Sequence, residues 1–140
     1  LFVLMAVNGL TPHWSWLLLP VWIGLITIFA LGGGLFFGAL MVSYRDVQYV
    51  LPVLVSLLTF ASPVAYPVSY VTSKLPEALH PAYFLLNPLA SLLSAFRWSM
   101  LGQGEVNWFY VGFASIVSIA AFMVGSLAFK SMEARFVDVI

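Results

Sequence analysis

Two long stretches of this sequence, Trp16 to Val42 and Trp108 to Phe129, contain no charged residue. A helix rises about 1.5 Å per residue and the hydrocarbon core of a bilayer is about 30 Å thick, so about 20 apolar residues suffice to cross it. Both stretches reach that length. A soluble domain carries about 25% charged residues to keep its surface wet; here the charged fraction is 7% and the hydrophobic fraction 63%. So few charges cannot coat a globule, and lipid is the solvent that fits. Backbone polar groups in lipid must be satisfied within the segment, which makes the fold class all-α: a polytopic membrane helix bundle.

The remaining chain divides around these two stretches. Leu1–Leu10 reads as the partial end of a span that starts before the sequence does, since no basic flank or small-residue cleavage site marks a signal peptide. Asn8-Gly9 and Pro12 punctuate the following turn. Residues 16–42 form the next span, with Trp14, Trp16 and Tyr44 at its two ends, where amphipathic rings settle at the membrane interface. Ala30, Gly34 and Gly38 form a small-residue ridge at four-residue spacing, which either admits a neighbouring helix closely or marks a flexible glycine patch. The charged cluster around Tyr44, Arg45 and Asp46 ends this span, and residues 49–66 form another that closes at Pro63, Tyr66 and Pro67.

Residues 67–102 break the pattern. Lys74, Glu77 and His80 exclude a crossing in the first part, and Asn87-Pro88 divides the apolar second part into Ala82–Leu86 and Leu89–Phe96, with Arg97 just beyond. Runs this short read as a re-entrant external helical pair. The span 108–129 and a charged tail follow. Sidedness then rests on the basic residues: Arg45, Lys130 and Arg135 on one face against Lys74 and Arg97 on the other, which puts the Arg45 face in the cytoplasm.

Few chemistries survive this reading. Five basic and five acidic residues give no electrostatic case for nucleic acid. Without cysteine there is no disulfide and no thiolate ligand or nucleophile. His13 and His80 sit in separate loops, no glycine-rich loop precedes a Lys-Ser/Thr pair, and no catalytic, metal or cofactor site is expected. The three uncharged spans also lack the buried ionisable groups of an ion-coupled carrier. Energy for any transport must come from an ion gradient or from another subunit, and the uncharged spans argue against the gradient.

The order of motifs resembles a known family. Tyr44-Arg45-Asp46-Val47 follows a long helix, Ser62-Pro63-Val64-Ala65-Tyr66-Pro67 closes the next, Asn87-Pro88-Leu89 precedes Arg97, and a final helix ends near Phe136-Val137-Asp138. The whole chain resembles the C-terminal part of the single transmembrane domain of ABC-2 type permeases that export O-antigen, capsular polysaccharide or teichoic acid.

That resemblance implies a homodimeric permease in the cytoplasmic (inner) membrane, working with a separate ATP-binding subunit on a glycan substrate. Tyr44, Arg45 and Asp46 would couple to the ATPase, or anchor the loop at the interface. Pro63, Tyr66, Pro67, Asn87, Pro88 and Arg97 would belong to an external gate, or to a passive lid. The aromatics around the break, such as Tyr70, Tyr83, Phe84, Phe96 and Trp98, suit either sugar stacking or the interface. A permease for a drug or small lipid and a non-transporting membrane scaffold remain the rival functions.

Overall fold

The computed structural model describes residues 14–102 and 106–137. The opening run Leu1–Leu10, His13 and Asp138 lie outside them. Six α-helices make up the described chain: α1 (Leu19–Ser43), α2 (Val47–Ala61), α3 (Val68–Lys74), α4 (His80–Leu86), α5 (Pro88–Leu101) and α6 (Trp108–Val137). A 3-10 turn, Trp14–Leu18, leads into α1, whose first turn accommodates Pro20 because the missing N–H there has no helical acceptor.

The stretches α1 with its leading turn and the first 25 residues of α6 are long and apolar enough to cross a membrane. The core helix of a soluble protein would pass the same test, but it would be mostly buried. In these two helices only 11% and 22% of the most apolar window is buried, so their surfaces need another apolar surround. The charged tail expected after residue 129 is instead a continuation of α6 to Val137. Nothing in Lys130–Val137 breaks a helix: the stretch has neither Gly nor Pro.

Helices α1 and α6 run parallel and in contact along their length. Trp22 shares a core with Val111 and Ala114, Gly32 meets Ala121 and Phe122, and Ser43 Oγ lies 3.9 Å from Met132 Sδ. A parallel pair requires the chain between them to return to its starting end. Helix α2 makes that return, and α3 to α5 are gathered at the end where α1 and α6 begin. There Leu92 and Ala95 of α5 complete the core, and the Trp22 indole donates to Ser99 Oγ at 2.7 Å.

Within the described chain the close small-residue contact is made by glycines outside the Ala30, Gly34 and Gly38 ridge. Within the described chain, Gly34 and Gly38 have nothing within 4 Å of a would-be Cβ, and Ala30 is exposed. The close approach is at Gly32, which is buried, against Gly125 of α6. Gly32 lies about 200° around the helix from Gly34, so the two cannot face the same neighbour. A four-residue spacing identifies a ridge but not the side to which the partner comes.

The apolar span 49–66 is likewise helical only as far as Ala61. Ser62 precedes Pro63, whose ring disfavours helical backbone at the residue before it, and Ser62 is extended at φ −85°, ψ 141°.

A Cβ at Gly32 would sit 2.5 Å from the backbone carbonyl carbon of Ala121, so a main chain would have to move. Gly32→Ala should therefore destabilise the fold by about 1–3 kcal/mol, the usual cost of overpacking, while Gly34→Ala should not. Thermal unfolding midpoints of the two purified full-length variants check this.

Candidate functional site

The site is built around a backbone problem. The last carbonyls of a helix have no intrahelical donor, and at the end of α2 a proline turn prevents the helix from continuing to satisfy them. Side chains from the turn, α4 and α5 do so instead. Tyr66 Oη donates to the Phe60 carbonyl at 2.6 Å. The Ala61 carbonyl accepts from Tyr83 Oη at 3.0 Å and from Asn87 Nδ2 at 3.1 Å. Ser62 Oγ donates to Asn87 Oδ1 at 3.1 Å, so the Asn87 amide bridges two consecutive residues. Arg97 then donates from Nη1 to the Tyr66 carbonyl at 2.5 Å and from Nη2 to the Val64 carbonyl at 2.7 Å.

Each donor is placed by a local feature of the sequence. Asn87 can turn inward because the chain leaves the helical region there (φ −123°, ψ 80°), as expected of a residue before proline. Pro88 then opens α5, where its fixed φ suits a first helical turn. Pro63, Asn87 and Pro88 are buried, and Pro67, extended at φ −73°, ψ 149°, caps the start of α3. Burial, with a smaller push from the neighbouring Tyr66, raises the Tyr83 phenol to about 12, so it stays protonated and able to donate. Tyr66, Asn87 and Arg97 thus supply the bonds of one clasp joining α2 to α5, with Pro63 and Pro88 shaping its turns, while Pro67 leads into α3.

Beside the clasp lies a cavity of about 450 Å³ between α3, α5 and the start of α6. Phe84, Trp98 and Tyr110 supply aromatic walls, and Ser91, Ser94, Arg97 and Asn107 supply polar ones. Phe84 and Tyr110 stack at 4.9 Å, and Trp98 meets Trp108 edge-on at 5.3 Å. These contacts fasten α4 and α5 to α6.

The remaining sequence candidates lie elsewhere. Tyr44, Arg45 and Asp46 form the exposed turn between α1 and α2 at the far end of the bundle. His80 Nε2 lies 3.0 Å from the carbonyls of Thr72 and Leu75; both can only accept, so this nitrogen carries a proton and holds the turn between α3 and α4. Among the described residues, no three His, Cys, Asp or Glu side chains gather as metal ligands. The sequence reading took Ser62 only as part of a proline break and missed Ser91 altogether, since a lone serine in an apolar run carries no distinguishing signal.

Replacing Asn87 with alanine removes the second donor to the Ala61 carbonyl and strands the Ser62 hydroxyl in a buried position. The expected cost is about 1–3 kcal/mol. Hydrogen exchange of the full-length Asn87→Ala protein should show faster exchange at the amides of Ser62 and Val64. Amides in the middle of α6 should be unaffected.

Comparison with known proteins places this arrangement. The family model described as ABC-2 type transporter matches residues 1–101. The chain is 27% identical over 143 residues to an O-antigen export system permease protein RfbA of Klebsiella pneumoniae, covering 99% of this chain and 51% of that protein. It is 32% identical over 97 residues to a protein of the same description from Myxococcus xanthus, covering 69% of this chain and 36% of the relative. The chain therefore spans about half the length of the curated relatives it matches, or less. No solved structure matches it. With the greater part of its length matched by the family model and two candidate spans on either side of the clasp, the chain belongs to the ABC-2 type transporter family, the non-catalytic membrane subunits of transporters.

Proposed function

We propose that this chain is the C-terminal part of a permease that exports polysaccharide or a lipid-linked glycan across the cytoplasmic membrane, driven by a separate ATP-hydrolysing subunit. The observation that carries the reading is the similarity over 99% of the chain to a protein named as an O-antigen export permease. Charge scarcity supports it too, since residues 16–42, 49–66 and 108–129 carry no Asp, Glu, Lys, Arg or His of the kind an ion-coupled carrier uses.

In this reading α1, α2 and α6 cross the membrane, and α4 and α5 form a re-entrant pair on the outer side. The parallel course of α1 and α6 supports that topology, as does the break at Asn87-Pro88. A non-helical backbone at membrane depth is tolerated where protein satisfies its polar groups, and the clasp supplies such partners. Pro63, Tyr66, Pro67, Asn87, Pro88 and Arg97 then form an external gate whose position is tied to the end of α2.

The Tyr44–Asp46 turn is the segment that receives the push of the ATPase on the cytoplasmic side. Its exposure leaves it available for contact, and three residues joining two helices form a short, stiff lever. The ridge Ala30, Gly34 and Gly38, turned away from α6, packs against a helix from the rest of the permease or from a second copy in a homodimer. The glycan passes without covalent change.

Two experiments test the reading. Replacing Arg45 and Asp46 together with alanine should reduce glycan export at least tenfold in intact cells, with the permease still present in the membrane. Undiminished export would remove the coupling role. Single cysteines at Ser73, Gln103 and Ser131 should report topology with a membrane-impermeant thiol reagent; Gln103 lies outside the described residues. Ser73 and Gln103 should label from outside and Ser131 from inside. Labelling of Ser73 without Gln103 would mean that 81–101 crosses the membrane.

A further inference from the structure

The clasp does not use all of Arg97, and it does not use Ser91. A guanidinium has five N–H donors, and the two carbonyl bonds leave three. Asp46 and Glu77 do not pair with this cation. Ser91 is 2% exposed, its Oγ has no hydrogen-bond partner, and it lies on the wall of the same cavity as Arg97. A buried hydroxyl left unpaired is costly unless something enters to pair with it. The side-chain amide nitrogen of Asn107, also on that wall, has no partner among the described residues, its oxygen being taken by the Phe109 N–H at 3.1 Å.

A half-buried cation beside an orphaned hydroxyl and an amide donor fits an anionic phosphodiester that carries hydroxyl groups. The surroundings fit one source of it. Trp98, Trp108 and Tyr110 sit where α6 begins, the level at which aromatic rings meet lipid headgroups. Beside them Leu101 and Phe109 are 45% and 73% exposed, an apolar rim suited to acyl chains. A volume of about 450 Å³ lies in the range of small-ligand pockets. We propose that the cavity between α3, α5 and α6 binds the headgroup of an anionic, hydroxyl-bearing phospholipid such as phosphatidylglycerol, with Arg97 on the phosphate and Ser91 and Asn107 on the headgroup oxygens. A neutral sugar would leave the charge of Arg97 unused. The site needs no step of the export reading and stands if that reading fails.

The test uses the purified full-length permease in detergent, titrated with dioctanoyl phosphatidylglycerol while its thermal unfolding midpoint is followed. The midpoint should rise saturably with this lipid and not with dioctanoyl phosphatidylcholine, glycerol 3-phosphate or mannose. Ser91→Ala, which leaves the clasp intact, should raise the half-saturating lipid concentration roughly three- to tenfold, the effect of one lost hydrogen bond. Arg97→Lys, which keeps the charge, should retain part of the response, and Arg97→Gln should abolish it. Equal responses to the two lipids would overturn the proposal, as would unchanged half-saturation in Ser91→Ala. A response to mannose would make the cavity a sugar site, and one to glycerol 3-phosphate a site for soluble polyol phosphates; either result would also overturn it.

Discussion

The last carbonyls of a helix have no intrahelical donor, and the exit of the chain from α2 creates several such groups at once. The arrangement of α3, α4 and α5 follows from meeting that need. Tyr83 and Asn87 must reach Ala61, so α4 has to end beside α2. Arg97 must reach the turn at residues 64–66, so α5 has to run back along it. The Asn87-Pro88 break serves both requirements, turning the chain where the asparagine amide is needed and restarting a helix at once.

The opposite solution holds α1 and α6 together. Their backbones are satisfied internally and are drawn together by the absence of side chains at Gly32 and Gly125. In lipid there is little hydrophobic gain in pressing two apolar helices together, so van der Waals contact between closely approaching backbones is what remains. Polar anchoring is added at the end where α5 joins, through Trp22 to Ser99 and Trp16 to the Met100 carbonyl at 3.3 Å, and at the far end through Ser43 to the Met132 sulfur. One pair is held by shape and the other by hydrogen bonds.

What the sequence revealed follows the same division. Hydropathy located α1 and α6 because each is a long uninterrupted solvent preference. Asn87-Pro88 and Ser62-Pro63 were legible as breaks because proline acts on its own neighbour. The partners of Asn87 and Arg97 were not legible, since they lie 25 to 33 positions away and depend on how the segments fold back. The Gly32–Gly125 contact was not legible because the two glycines are joined across the whole intervening chain, and the spacing of Ala30, Gly34 and Gly38 speaks only for its own face of α1. Ser91 gave no signal at all, because its interest lies in the partner it lacks.

The glycine contact also limits which sequence changes can rescue one another. When two side chains clash across an interface, a larger residue on one helix can be offset by a smaller one on the other. At Gly32 the atoms in the way belong to the backbone of Ala121 and Phe122, and at Gly125 to the backbone of Gly32. Main chain cannot be trimmed by substitution. Each glycine is therefore constrained independently, and a suppressor of a change at either position has to shift a helix rather than reshape a side chain.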